Sequence, residues 1–480
     1  MGRAAHDQYP LEPSSIELRR LVEAALARIL PFIEALPEQP AGVFDGGPEL
    51  ARSLAEPMPE GGAPIEELLA LLFERVVPHS YNTAGPGYLA YIPGGGIPHT
   101  AVADLVGDIV NRYVTVFSAA PGMVQLEANV VRWFCELVGL PAGSGGVLTS
   151  GGSMANFIAL VTARREWLGE DFLTGTIYAS DQVHHSITKA AVLAGFPERN
   201  VRALPTDERQ RLRVNTLAVA VAADRAKGLR PFLVVASAGT TNTGAIDPLP
   251  RIAELARKEQ LWLHIDAAYG GFFSLTERGR AALVGLDCAD SVTLDPHKGL
   301  FLPYGSGSLL VRDAGALRRA HEVTSDYMPV YQEDPDLVDF CALSPELSRD
   351  NRGLRVWLPV KLLGIGAFRE ALDEKLDLAR HATEELRRLP EVRIVAEPEL
   401  SLVAFRLEPP GVEGEARDAL NRAWLEAVNR RARVMLTGTR LGGRFTLRIC
   451  VLSFRTHLER IEMALEDLRE TAAEVRSRDN

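Results

Sequence analysis

The sequence predicts an α/β protein: a mostly parallel sheet with helices on both faces, a helical segment before it and a small α+β domain after it. Three observations predict it. Between about residues 88 and 325, six short apolar runs alternate with stretches of helical periodicity, the pattern of βα units. Before residue 88 the apolar side chains recur only at helical spacing. From about 366 a long helix is followed by four strand candidates and a last helix.

Taken in order, residues 14–36 place Ile16, Leu18, Leu21, Val22, Leu26, Ile29 and Leu30 at helical spacing. Residues 37–63, rich in Pro, Gly and Glu, read as a linker. A second helix near 64–77 carries Ile65, Leu68, Leu69, Leu72 and Val76. Two helices flanking a linker cannot form a core alone, so they are expected to pack on the rest of the chain or on a second subunit. The apolar runs follow at 146–148, 176–179, 232–236, 261–265, 291–294 and 308–311. The last section offers a helix at 368–388, strands at 392–396, 402–407, 434–437 and 446–450, and a helix at about 457–475. The expected organisation is an N-terminal helical segment and linker (1–87), a large α/β domain (88–365) and a small C-terminal α+β domain (366–480).

A chain of 480 residues is too long for one compact core. Its 46% apolar and 24% charged residues are ordinary for globular proteins. The net charge of −11 offers no basic face of the kind nucleic acid requires. Four scattered cysteines, Cys135, Cys288, Cys341 and Cys450, make neither a disulfide scaffold nor a metal motif, and they point to a reducing, cytoplasmic setting. The first residues have no signal-peptide core, and no apolar run reaches the ~18 residues of a membrane span.

In an open parallel sheet, ligands bind beyond the carboxyl ends of the strands. Five run ends here carry chemistry. The first is followed by TSGGS (149–153) and a helix, the second by SDQVHHS (180–186), the third by SAGTTNTG with Thr240. The fourth delivers Asp266, and the fifth delivers DPHK, ending at Lys298. Each has an ordinary explanation alone. TSGGS suits a phosphate, with free N–H groups at a helix start, but equally a small-residue turn, and it lacks the Gly-Lys-Ser/Thr of a Walker loop. His184 alone reads as a structural histidine, Asp266 as a cap and Lys298 as a surface lysine. Together they specify one chemistry: a lysine amine for an aldehyde, and a carboxylate that keeps a pyridine nitrogen protonated. At ~4 Å and an effective dielectric near 20, such a pair is worth about 4 kcal/mol.

The ordered motifs LHIDAAYGG (263–271), SDQVHHS (180–186) and LDPHKGLFLPYGSG (294–307) resemble those of the group II pyridoxal-phosphate decarboxylases, the aromatic-L-amino-acid, histidine and glutamate decarboxylases. The similarity runs from about residue 87 to 361. It implies the fold-type I architecture of pyridoxal-phosphate enzymes and decarboxylation of an L-amino acid, aromatic by default. By resemblance, Lys298 holds pyridoxal 5'-phosphate as a Schiff base, Asp266 pairs with its ring nitrogen, and His184 stacks on the ring. Gly152 and Ser153 bind the phosphate with His297 close by, and Thr240 contacts the cofactor or His184. Tyr327 in SDYMP (325–329) is the expected proton donor to the substrate carbon, with Tyr331 its neighbouring competitor. The resemblance also implies a homodimer with the active site at the subunit interface. No metal is expected.

Three positions depart from the family pattern: Asp295 replaces a common asparagine, Gly299 a tryptophan and Gly94 a threonine. The two glycines remove bulk and leave the substrate open. Gly353 resembles the small residue that gives indole-sized substrates room in plant relatives. Rival readings are oxidative decarboxylation-deamination to an aldehyde, against which Tyr327 and His184 speak; transamination, for which Arg444 or Arg448 would bind a carboxylate unless they lie on a solvated strand face; and a non-catalytic sensor or scaffold, against which the lysine and aspartate speak.

Overall fold

A computed structural model describes residues 11–43, 45–323, 332, 334 and 336–477. Its larger sheet has seven strands: β1 (Gly145–Thr149), β2 (Gly175–Ser180), β3 (Val201–Leu204), β4 (Arg230–Ser237), β5 (Trp262–Asp266), β6 (Ser291–Leu294) and β7 (Gly307–Val311). Their order across the sheet is β1-β7-β6-β5-β4-β2-β3. Neighbours from β6 to β3 pair in parallel, whereas β7 runs antiparallel to both β6 and β1. The carboxyl ends of β1, β2, β4, β5 and β6 therefore lie on one side of the sheet. Helices cover both faces, which buries the central strands on both sides and makes them read as unbroken apolar runs.

Each of the six expected runs is a strand, displaced by two residues at most. The seventh, β3, has no apolar run (Val-Arg-Ala-Leu) because it is a half-exposed edge paired only with β2.

The smaller sheet is antiparallel, in the order β10-β11-β9-β8, from β8 (Val392–Ala396), β9 (Leu402–Leu407), β10 (Thr437–Leu441) and β11 (Arg444–Cys450). Helices Gly414–Arg430 and Leu458–Ser477 supply its core, where Trp424 meets Phe405 edge-on at 5.5 Å. The strand expected at 434–437 begins only at Thr437. Asn429 hydrogen-bonds both the N–H and the carbonyl of Leu436 and so removes that residue from the ladder.

Helix Ser15–Ala35 starts at Ser14, whose hydroxyl accepts the Glu17 N–H at 3.1 Å. It buries none of its residues fully and touches Phe73 through Phe32. The second expected helix is α-helical over Ile65–Ala70, widens to a π-helix over Leu71–Val76 and ends in a 3-10 turn at Pro78. The long helix Arg352–Arg388 breaks at Gly364, whose φ of 73° and ψ of 149° are not helical. Among the described residues, no helix is long and apolar enough to cross a membrane.

Candidate active site

The sheet topology brings the five expected strand ends around one cavity. Gly152, Ser153, His184, Thr240, Asp266, His297 and Lys298 all line it. Tyr327 and Tyr331 lie outside the described residues.

At the end of β1, Gly151 takes a φ of +152° and turns the chain into helix Gly152–Trp167. The turn has no room for side chains: a Cβ on Gly152 would come within 2.9 Å of the Asp295 carboxylate, and one on Gly307 within 2.5 Å of Gly151. The first turn of this helix thus presents free N–H groups and the positive end of the helix dipole to the cavity.

Lys298 sits in the single turn Pro296–Gly299 directly after β6. Its Nζ pairs with Asp295 Oδ2 at 2.9 Å. Burial works against the ammonium, but the charge and hydrogen bond of Asp295, helped by Asp266, hold it above the ordinary lysine range. Asp295 is almost fully buried, and its Oδ1 has no hydrogen-bond partner. The carboxylate therefore faces the cavity rather than turning away. His297 donates from Nδ1 to the Ser306 carbonyl, which leaves Nε2 toward Asp295 at 3.6 Å.

Across the cavity, Asp266 ends β5. Its Oδ1 accepts the Ala268 N–H at 3.1 Å and its Oδ2 accepts Asn156 Nδ2–H at 2.9 Å. His184 follows β2, with Nδ1 2.8 Å from the Ser186 hydroxyl. Burial pushes its basicity down, against the opposing pull of Asp266. Thr240 pairs with the Thr243 hydroxyl at 2.9 Å, in a loop that turns through Gly239 and Gly244 at positive φ.

Lys298 and Asp266 line the same cavity, the condition on which the chemistry read from the sequence depends. The donor set fits pyridoxal phosphate: an amine for its aldehyde, a carboxylate for its ring nitrogen, a flat imidazole, and a helix N-terminus for its phosphate. Asp295 is the one group of the wrong charge for the phosphate end.

The glycine departures have structural causes. A Cβ on Gly299 would lie 2.5 Å from Cβ of the buried Phe272, so the close approach of the two segments leaves no room for a side chain at 299. A Cβ on Gly94 would lie 2.0 Å from the His297 carbonyl, and one on Gly353 2.5 Å from Glu127 Cβ. All three permit backbone or core packing, and none lines the cavity. Arg448 is not on a solvated face. It is buried and donates to the carbonyls of Tyr91 (3.1 Å) and Thr241 (2.6 Å), tying β11 to two segments beside the cavity. The residues overlooked in the sequence are Asn156 and Ser186. Their signal was a polar residue on the buried side of the helix after TSGGS, and a serine two places after His184.

The pyridoxal-dependent decarboxylase conserved domain matches residues 48–408. The chain belongs to the pyridoxal-dependent decarboxylase family. The aromatic-L-amino-acid decarboxylase of Bacillus atrophaeus is 34% identical over 471 residues, covering 97% of each chain. The crystal structure of Oryza sativa TDC with PLP and tryptamine superposes with a TM-score of 0.91 at 27% identity, covering 96% of this chain and 99% of that one. The Rhodiola rosea 4-hydroxyphenylacetaldehyde synthase superposes with a TM-score of 0.89 at 26% identity, with the same coverage. This pyridoxal-dependent decarboxylase is thus an enzyme of fold-type I, a carboxy-lyase of amino-acid metabolism that uses pyridoxal phosphate.

Proposed function

We propose that the substrate is an aromatic L-amino acid, converted to its amine and carbon dioxide. The observation that carries the site assignment is the placement of Lys298 and Asp266 on one cavity. The aromatic preference is supported by the 34% identity to an aromatic-L-amino-acid decarboxylase over 97% of the chain.

Bound pyridoxal phosphate supplies a protonated ring that takes up the electron pair left by the departing carboxylate. In this reading Lys298 presents its amine to the aldehyde, and Asp266 holds the proton on the ring nitrogen. His184 lies against the ring, beside Thr240. Gly152, Ser153 and His297 hold the phosphate. Tyr327, or Tyr331, returns a proton to the substrate carbon.

The enzyme works as a homodimer, with its active site at the subunit interface. Support comes from helix His99–Val110, where Val102, Leu105, Val106 and Ile109 form one exposed apolar face. The domain division at 1–87, 88–365 and 366–480 is supported by the helix break at Gly364. A cytoplasmic location is supported by four cysteines scattered along the sequence in no disulfide-scaffold pattern.

The test has two arms. Mixed with pyridoxal phosphate, the protein gains the visible band of a lysine Schiff base and Lys298→Ala does not. An identical spectrum for both removes the lysine assignment. Amine and carbon dioxide are then measured across the twenty amino acids. Release from tyrosine, tryptophan or phenylalanine is expected. Hydrogen peroxide appearing with the carbon dioxide favours aldehyde formation. Silence on every substrate, with the band present, favours a sensor.

A further inference from the structure

We propose that Asn156 is a positioning residue whose single side-chain amide orients two groups in the cofactor site: it donates to the Asp266 carboxylate and keeps His184 neutral with its proton on Nε2. The functional meaning rests on the reading of Asp266 and His184 as cofactor contacts; the hydrogen-bond directions do not.

The directions follow from one fact. An ionised carboxylate can only accept hydrogen bonds. Asn156 is buried, and the side-chain atom 2.9 Å from Asp266 Oδ2 must therefore be its amide nitrogen. Its Oδ1 then faces the other way and accepts the Thr293 hydroxyl at 2.7 Å. His264 Nε2, 3.0 Å from the same oxygen, must carry a proton. Burial pushes His264 down to about 4, so its ring is neutral and Nδ1 is bare. The Ser291 hydroxyl, 2.8 Å away, donates to that Nδ1 while its oxygen accepts the Trp262 indole N–H at 2.8 Å. Every member on this side of the chain is satisfied in one direction only.

The second N–H of the same amide donates to Ser186 Oγ at 2.9 Å. The serine then has its own proton to give to His184 Nδ1, 2.8 Å away. The Ser186 backbone N–H also points at this nitrogen, at 3.3 Å. With two donors on Nδ1, the imidazole carries its proton on Nε2. Charging the ring would set a proton on Nδ1 against both. The charged and titratable groups facing His184 are Asp266, His185, Lys298 and Asp295. Burial, the neighbouring His185 and Lys298 disfavour a charged ring, the two carboxylates favour it, and the two donors on Nδ1 decide. His184 is thereby a hydrogen-bond donor through Nε2 and not a cationic acid.

The test uses cofactor-free protein labelled with [15N]histidine, observed by magic-angle-spinning NMR at pH 8 and pH 6. The His184 resonances are identified by their loss in His184→Gln. An Nε2–H tautomer, uncharged at both pH values, is expected for the parent and for Ser186→Thr, which keeps the hydroxyl. Ser186→Ala and Asn156→Ala should show mixed tautomers and partial protonation at pH 6, with melting curves confirming that each is folded. A charged or Nδ1–H ring in the parent, or an unchanged tautomer in folded Asn156→Ala, overturns the proposal. Only Asn156→Ala removes a donor from Asp266, so it should bind pyridoxal phosphate about tenfold more weakly than Ser186→Ala. Equal affinities overturn the Asp266 half. A protein that shows the tautomer pattern but never binds the cofactor would sink the functional reading and leave the relay standing.

Discussion

Asp295 places a carboxylate 2.9 Å from the lysine amine and beside a helix N-terminus suited to a phosphate. The pair keeps Lys298 protonated, whereas Schiff-base formation needs the free amine. The amine fraction grows with pH, so cofactor loading should speed up as pH rises. Asparagine at 295 removes the charge that holds the proton, and each pKa unit released is worth tenfold in free amine. Asp295→Asn should therefore load pyridoxal phosphate faster at neutral pH, with its pH profile moved downward. Rapid-mixing absorbance measures this, and loading no faster than the parent would show that another group holds the proton. Gly299 is a second residue whose meaning lay in its neighbour. Gly299→Trp should cost at least about 1–3 kcal/mol, because its Cβ would stand 2.5 Å from the Cβ of Phe272, an atom that every residue but glycine keeps. Urea unfolding reads the loss, and a variant as stable as the parent would show that the backbone yields at this turn. The residues of the cavity wall were legible because strand ends and ligand chemistry coincide. Asn156 and Ser186 were not, because Asn156 acts through partners on the distant strands β5 and β6, and Ser186 acts through Asn156.

At the scale of elements, the sequence was informative wherever one face or both faces of an element are buried against this chain. The six buried strands were legible, while the edge strand β3, two of whose four residues are arginine or alanine, was not. The π-helix at Leu71–Val76 and the delayed start of β10 were hidden for another reason: each is set by tertiary context, in β10 by the Asn429 amide bound to Leu436. Helix His99–Val110 shows the converse, apolar residues that this chain leaves uncovered. Val102 and Ile109 remain 54% and 60% exposed, on the same face as Leu105 and Val106, a contiguous apolar stripe of the kind that marks an interaction surface. Ile109→Glu or Val106→Glu should convert the proposed dimer to monomer and, with the site proposed at that interface, lower activity. Light scattering on a sizing column reads the mass directly. A dimer of unchanged mass would assign the face to some other partner.

Stability as a function of pH belongs to the whole molecule, because its determinants are spread across separate elements. His264 in β5 and His321 at the end of helix Ala314–His321 are both pushed down to about 4, chiefly by burial. His321 donates to the Thr162 hydroxyl, whose own proton goes to the Ile158 carbonyl, and Arg165 and Arg164 add repulsion to any charge on the ring. For a histidine depressed in the folded state, the unfolded chain binds more protons between the two values. Its contribution is complete above about pH 6.5 and disappears as pH falls toward 4, at most about 3 kcal/mol for each ring. Asp247 acts in the opposite sense. Burial raises its carboxyl to about 6, so the folded state gains stability as pH falls through the same window. Asp224 and Glu408, held low by arginine partners against the cost of burial, begin to lose their contribution only as pH falls below the ordinary carboxylate values of 3.8 and 4.5, at and beyond the acid end of the histidine window. The raw curve is thus a sum of opposed terms, and a difference isolates one of them. His321→Gln keeps an N–H for Thr162 but cannot be protonated. Its stability relative to the parent should rise by up to about 3 kcal/mol between pH 7 and pH 4, read from urea unfolding of cofactor-free protein. A difference that stays flat across that range would mean the His321 ring is already charged in the folded state or is reached by water.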